Sequence, residues 1–169
     1  MNDGLVDAFR HNTWATREFL AVCRALPEDQ WQAEVPGQYG TLIDTFRHIV
    51  RSESGYCTRL TGEPPSWHRD EPTTPPDWDV LAARVDELSA RWERFLAEPF
   101  DAERTFVMPW HDGFDRDVPA GVVLAQAVYH ASHHRTQIAT ILTQLGVTPP
   151  EWGLWDWAEA TDRAAQRAS

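Results

Sequence analysis

The sequence contains no lysine, and its 15 positively charged side chains are all arginines. Acidic residues number 26, so the formal net charge is -11. Nucleic-acid binding and docking on anionic membranes both depend on clustered basic side chains. The charge balance therefore predicts that neither nucleic acid nor a membrane surface is a partner of this protein.

Cysteine is also scarce, because only Cys23 and Cys57 occur, and both fall inside helical patterns. A disulfide framework would need an extracellular context, which nothing in the sequence supplies. The N-terminus has no basic start followed by an apolar run, and no segment approaches the ~18 apolar residues of a membrane span. We therefore expect a cytoplasmic protein with two buried thiols, no signal peptide and no membrane helix.

Length and composition are typical of a globular domain. The chain has 169 residues, of which 42% are apolar and 24% charged. A chain of this length can bury a substantial core without disulfides or metals to support it. Because no internal repeat divides it, residues 1–169 are predicted to form a single domain.

Apolar residues recur at steps of three and four in four long segments, which is the spacing of amphipathic helices. The clearest apolar stripe runs from Leu81 to Phe95 in the third segment. Such a set of helices predicts an all-α four-helix bundle. The predicted helices run from about Asp3 to Ala25, Thr41 to Gly62, Asp77 to Glu98 and Ala120 to Leu145.

The connections between the predicted helices are rich in turn residues. Residues 63–77 contain five prolines and predict a long crossing loop that could act as a lid. Residues 105–108 have strand-like composition and His111 opens a turn signal, so a short hairpin or irregular excursion should precede the fourth helix. The tail from Glu151 contains three tryptophans and predicts a short extra C-terminal helix packed over the bundle.

Two histidines interrupt the apolar face of the fourth predicted helix. His130 and His134 are one turn apart, so their rings can converge on a single ion. Two ligands bind a metal weakly, and His48 is the best third candidate because it borders the apolar stripe of the second helix. Three neutral imidazoles suit zinc, nickel, iron or manganese without choosing among them. They would also leave a coordination position open, as catalytic sites do.

The same spacing also occurs on helix surfaces that bind no metal, so ordinary histidines with polar partners are the alternative. His133 lies about 100° around the helix from its neighbour, which favours a surface or supporting role. His111 could approach an open metal position if the excursion folds over the site, but a solvated turn is the simpler expectation. The tryptophans are expected to belong to the core and the tail contacts.

Three segments resemble the DinB-like family, also called the YfiT-like metal-dependent enzymes. They are His-Asn-Thr-Trp at 11–14, the segment 41–48 that ends in histidine, and the motif 130–138 with Leu-Gly at 145–146. The resemblance extends over nearly the whole chain. The family commonly has His-His-Arg-Gly-Gln-Ile in the last motif, whereas this chain has Thr136 in place of the glycine.

The resemblance implies an up-down-down-up bundle, a homodimer, and a divalent metal held by His48, His130 and His134. Among the activities of the family, we expect a thiol-dependent S-transferase that joins a mycothiol- or bacillithiol-type thiol to a small-molecule electrophile. A metal-dependent hydrolase with water as the nucleophile is the first alternative. A non-catalytic, metal-stabilised binding or stress-response protein is the second, because a fold does not determine a function.

Overall fold

The computed structural model describes residues 3–68, 77–110 and 112–164. Across these residues it confirms the predicted bundle of four long helices with a short additional helix near the C-terminus. A short 3-10 turn at Glu28–Gln32 was not predicted. The helices are α1 (Asp3–Arg24), α2 (Leu42–Thr61), α3 (Trp78–Ala97), α4 (Ala120–Gln144) and α5 (Leu154–Ala160), and the strands are β1 (Thr105–Pro109) and β2 (Asp115–Pro119).

Capping residues mark where α2 and α3 begin and where α2 ends. The Thr41 hydroxyl accepts a hydrogen bond from the Asp44 amide at 3.2 Å, and the Asp77 carboxylate accepts one from the Val80 amide at 2.8 Å. These bonds satisfy backbone donors that have no partner in the first helical turn. Gly62 ends α2 with a φ of 75°, a left-handed conformation that glycine adopts at little cost.

The predicted excursion before α4 is a two-stranded antiparallel hairpin. Arg59 of α2 donates a hydrogen bond to the carbonyl of Val107 at 2.8 Å, which attaches the hairpin to the bundle. Pro119 is the last residue of β2 and immediately precedes α4. His111 and residues 69–76 of the predicted crossing loop lie outside the described residues.

Side-chain pairs establish the directions of α1, α2 and α3. Phe46 of α2 packs on Trp78 of α3, and further along both helices Glu53 accepts a hydrogen bond from Trp92. Residue numbers therefore increase in the same direction along α2 and α3, so the two helices are parallel. Three ion pairs between α1 and α3 show residue numbers that increase along one helix and decrease along the other, so these helices are antiparallel. Their ion pairs are Arg10–Glu93, Arg17–Asp86 and Arg24–Asp79.

The α2–α4 pair is antiparallel and completes the topology. His48 contacts His134 with ring centroids 4.6 Å apart, whereas Tyr56, two turns later in α2, contacts His130 at 5.7 Å. If α1 is taken as up, then α2 and α3 run down and α4 runs up. The up-down-down-up bundle is therefore the observed topology.

The core lies between the four long helices. The predicted stripe of α3 is buried from Leu81 to Trp92, and its last member, Phe95, is half-buried and packs against the core. The neighbouring Leu96, which was not predicted, is buried. A strict alternation of three and four drifts from the 3.6-residue helical period, which moves the stripe by one residue. Cys23 and Cys57 are buried and unpaired, as predicted. Each helix in the described part of the chain is too short or too polar to cross a bilayer.

The tryptophan-rich tail forms α5, which packs against α1 as predicted. The ring of Trp157 lies beside His11, and Trp152 packs edge-on against Phe19 with centroids 5.1 Å apart. A ring nitrogen of His11 also lies 2.8 Å from the carbonyl oxygen of Trp152. By contrast, Trp155 is 81% exposed and takes no part in this packing.

Candidate metal centre

Three histidines from two helices converge at the α2–α4 interface. His48, His130 and His134 each place a ring nitrogen within 4.8 Å of the others. The Nε2 atoms of His48 and His130 are 3.0 Å apart. Neighbouring ligands at a metal–nitrogen distance near 2.0–2.1 Å are separated by about 2.9–3.4 Å in octahedral or tetrahedral geometry. The trio singled out from the sequence is therefore together in space, with a geometry that could hold a metal ion.

Local sequence explains why the rings meet. His130 and His134 are one turn apart on α4, and the antiparallel α2 presents His48 at the edge of its buried stripe. Ala127 and Ala131 bracket the first histidine of α4, and each is 1% exposed. Short side chains at these buried positions permit close approach of a neighbouring helix. Close approach is needed for imidazoles on separate helices to share one ion.

Burial keeps the three imidazoles neutral. It lowers the pKa of His48 to about 4, and repulsion from His134 and Arg51 adds to the effect. Burial likewise lowers the pKa of His130 to about 4, with repulsion from His134 as the next cause. The pKa of His134 is lowered by burial too, although its hydrogen bond to Gln137 opposes the shift. Neutral rings keep the lone pairs that metal coordination requires.

Gln137 orients one of these rings. Its Oε1 lies 2.7 Å from Nδ1 of His134. A carbonyl oxygen only accepts, so Nδ1 carries the proton and Nε2 keeps its lone pair for a metal. The Gln137 amide nitrogen lies 3.3 Å from Nε2 of His133, which is exposed. His133 also meets the ring of His134 edge-on, with centroids 5.3 Å apart, so it lies beside the cluster at the surface of α4. Helical spacing could have identified Gln137, which follows His134 by three residues.

Two tyrosines that the sequence analysis missed line the cluster. Tyr39 stacks on His48 with centroids 3.9 Å apart, and it meets His134 edge-on at 5.3 Å. Tyr56 meets His130 edge-on at 5.7 Å. Tyr56 follows His48 by about two helical turns, so the 3.6-residue period could have placed it there. Tyr39 comes from an irregular connection, where no periodicity gives such a signal.

A buried polar network ties the histidine turn of α4 to the other three long helices. Arg135 is fully buried, and its Nη1 donates to the Asn12 side-chain oxygen at 2.8 Å and to the Thr16 hydroxyl at 2.9 Å. Glu53 of α2 accepts hydrogen bonds from the Asn12 amide at 3.3 Å and from the Trp92 indole at 3.0 Å. The network therefore fixes how α4 sits against α1, α2 and α3.

The charges in this network are strongly desolvated. Burial raises the pKa of the Glu53 carboxyl and lowers the pKa of Arg135 to about 10, so the guanidinium remains charged at neutral pH. Nε and Nη2 of Arg135 have no hydrogen-bond partner among the described residues. Arg135 belongs to the α4 motif that resembles the DinB-like family, but its burial was not predicted from the sequence.

Comparison with known proteins agrees with the observed fold. The sequence model of the DinB family matches residues 1–167. Protein DinB of Bacillus subtilis (strain 168) is 20% identical, over 97% of this chain and 100% of its own. The crystal structure of a DinB-like protein from Bacillus cereus ATCC 10987 is 23% identical and has the same fold, with a TM-score of 0.66 over 89% of this chain and 96% of its own. The predicted resemblance is confirmed, and the chain belongs to the DinB family.

Proposed function

We propose that this protein is a metal-dependent S-transferase in which His48, His130 and His134 hold one divalent cation. Its second reactant would be a low-molecular-weight thiol of the mycothiol or bacillithiol type, which it joins to a small electrophile. The observation that carries the proposal is the convergence of three neutral imidazole nitrogens within 4.8 Å. Three protein ligands leave room for an outside molecule to coordinate, and this donor set suits zinc, nickel, iron or manganese.

A bound divalent cation would lower the pKa of a coordinating thiol, so that the reactive thiolate exists near neutral pH. The chain supplies the positioning. Gln137 holds the ring of His134 through Nδ1, which leaves the lone pair of Nε2 available to a metal. Tyr39 and Tyr56 pack against the histidine rings and help to hold their orientation. The network around Arg135 keeps the histidine turn of α4 in place.

Thiol dependence of turnover tests this function. Metal-loaded and chelator-treated protein would be supplied with a reactive aryl halide and a panel of thiols that includes mycothiol and bacillithiol, and product would be measured by chromatography. We expect turnover only when both the metal and a thiol are present. Hydrolysis of an ester without thiol would favour the hydrolase alternative. Retained metal without turnover of any electrophile would favour a non-catalytic binding or stress-response protein.

We also propose that residues 1–169 form one domain that works as a cytoplasmic homodimer. Val122 and Tyr129, seven residues apart on α4, are 54% and 67% exposed and offer an apolar stripe to a second copy. The buried, unpaired Cys23 and Cys57 are compatible with a reducing compartment. Size-exclusion chromatography with light scattering tests the assembly, and a monomer at micromolar concentration would contradict it.

A further inference from the structure

The guanidinium of Arg135 is 0% exposed, and one of its edges lacks an acceptor. Its Nη1 atom donates to the side-chain oxygen of Asn12 at 2.8 Å and to the hydroxyl of Thr16 at 2.9 Å, which fixes the orientation of the group. Its Nε and Nη2 atoms are buried and have no hydrogen-bond partner among the described residues. Buried polar atoms are nearly always hydrogen-bonded, and charged donors are the most costly to leave unpaired. This edge therefore needs an acceptor beyond the described side chains.

Other arginines of the protein show what such an edge accommodates. Nε and Nη2 lie side by side, so they can hold an acceptor with two parallel hydrogen bonds. Both atoms of Arg17 donate to the same oxygen of Asp86, at 2.9 and 2.6 Å. Both atoms of Arg91 donate to one oxygen of Glu87, at 3.0 and 2.8 Å. A single oxygen atom is therefore enough to satisfy this edge.

The carboxyl of Glu53 is close to Arg135, but no direct hydrogen bond joins these two described side chains. Its Oε1 accepts from the Trp92 indole at 3.0 Å, and its Oε2 accepts from the Asn12 amide at 3.3 Å. Burial raises the pKa of this carboxyl, while the Trp92 hydrogen bond and the positive charge of Arg135 oppose the shift. Each carboxyl oxygen has a further lone pair. Glu53 can therefore accept one more hydrogen bond, from a group placed between it and the guanidinium.

We infer that one buried water molecule bridges Arg135 and Glu53, accepting from Nε and Nη2 and donating to the carboxyl. A buried water typically makes about three hydrogen bonds to groups that otherwise have no partner. The two donors of Arg135 and one acceptor of Glu53 match that number. A water adds no charge, whereas an anion at the same place would lie beside the carboxyl of Glu53 and repel its ionised form.

The water would belong to the contact between the two helices that bring the three histidines together. Arg135 directly follows His134 on α4, and Glu53 lies about one and a half turns after His48 on α2. A bridge between these two side chains would help to hold the helices at a fixed separation beside the histidine cluster. It requires neither a bound metal nor a reaction, so its test is independent of the proposed function.

A crystal structure of the unaltered protein grown in a bromide salt tests the position and the identity of the bridging group. We expect a density peak about 2.7–3.2 Å from Nε and Nη2 of Arg135 and from an oxygen of Glu53, with no anomalous signal from bromine. An anomalous peak would identify an anion and overturn the inference. Direct contact between the two side chains, or a peak that does not reach Glu53, would also overturn it.

Oxygen-17 magnetic relaxation dispersion measures long-lived internal waters in solution. The double variant Arg135→Met/Glu53→Leu removes all the hydrogen bonds of the bridge and should lower their number by about one per chain. The control Arg10→Met/Glu93→Leu makes the same substitutions at an exposed ion pair and should leave the number unchanged. Glu53→Gln retains an acceptor oxygen and should keep the water.

Circular dichroism would establish that each variant is folded before waters are compared. An unchanged number of internal waters in the folded Arg135→Met/Glu53→Leu variant would overturn the inference, as would an equal fall in the control. If the double variant does not fold, the crystal structure of the unaltered protein still decides the outcome, because it needs no substitution.

Discussion

The Nε2 atoms of His48 and His130 face each other at 3.0 Å across the interface between α2 and α4. Burial lowers the pKa of both rings to about 4, so neither is protonated at neutral pH. Two neutral nitrogens this close need either a shared proton or a shared cation between them. A shared cation also accounts for the third nitrogen, on His134, which a single proton between the other two rings does not engage.

Removal of any one of the three histidines should release the metal. We expect about one divalent cation per chain in the unaltered protein and a sharp fall in His48→Ala, His130→Ala and His134→Ala, because two ligands bind weakly. His133→Ala is the matched control and should keep its cation, since this ring is exposed and is not one of the three that converge. Elemental analysis after dialysis measures the content. Unchanged metal in both α4 variants would reject the assignment, and normal binding in His48→Ala alone would place the third ligand elsewhere.

Loss of the Gln137 side chain should weaken the metal centre without abolishing it. The amide oxygen of Gln137 fixes the proton of His134 on Nδ1. Removal of such an orienting partner lowers metal affinity by about 10–100-fold. Competition with a fluorescent chelator would measure this change in Gln137→Ala. Gln126→Ala, an exposed glutamine on the same helix, is the control and should be unchanged. Equal affinities in the two variants would show that Gln137 does not orient the ligand.

Local periodicity is what made the helices and the histidines of α4 predictable. His130 and His134 are neighbours on any helix, and the position of His48 at the edge of the α2 stripe followed from the same spacing. The residue that differs from the family motif, Thr136, also interacts only within its own helix. Its side chain is exposed, and its hydroxyl donates a hydrogen bond to the carbonyl of Ser132 at 3.1 Å. The side chain in place of glycine is therefore accommodated at the surface of α4.

Features that depend on packing between distant segments were not predictable. Tyr39 reaches His48 only through the path of an irregular connection. Arg135 is buried because Asn12, 123 residues earlier, supplies its acceptor. A charged residue is rarely buried without a partner, and a single sequence does not reveal where the partner lies.

Glu53 should make stability depend on pH in a defined direction. Burial raises its pKa above the ordinary value of 4.5, so the folded protein binds the proton more tightly than the unfolded chain does. Its contribution to the free energy of unfolding is therefore most favourable below 4.5 and declines as the pH rises through the raised pKa. The groups facing it are Arg135, Trp92 and Asn12.

The variant Glu53→Gln removes this titration and keeps the shape of the side chain. Urea unfolding at a series of pH values should show the unaltered protein losing stability relative to Glu53→Gln as the pH rises through this window. Glu93→Gln, at an exposed ion pair with Arg10, is the matched control and should show much less of this dependence. A difference between Glu53→Gln and the unaltered protein that is constant with pH would contradict the raised pKa.

Replacement of Arg135 should cost far more stability than replacement of an exposed arginine. Arg135→Met removes the donor to the Asn12 and Thr16 side-chain oxygens and the positive charge that interacts with the buried Glu53. Breaking one partner of a buried charge network typically costs about 3–5 kcal/mol.

The matched control is Arg10→Met, because Arg10 pairs with Glu93 at the surface, where both side chains are about half exposed. Such surface pairs contribute at most about 1 kcal/mol, so this change should be nearly neutral. Urea unfolding measures both variants, with the slope against urea used to check that the extent of unfolding is the same. If Arg135→Met costs no more than Arg10→Met, the buried network does not hold the bundle together. Adding Glu53→Leu to Arg135→Met should restore part of the loss, because it removes the unpaired buried charge that makes the single replacement costly.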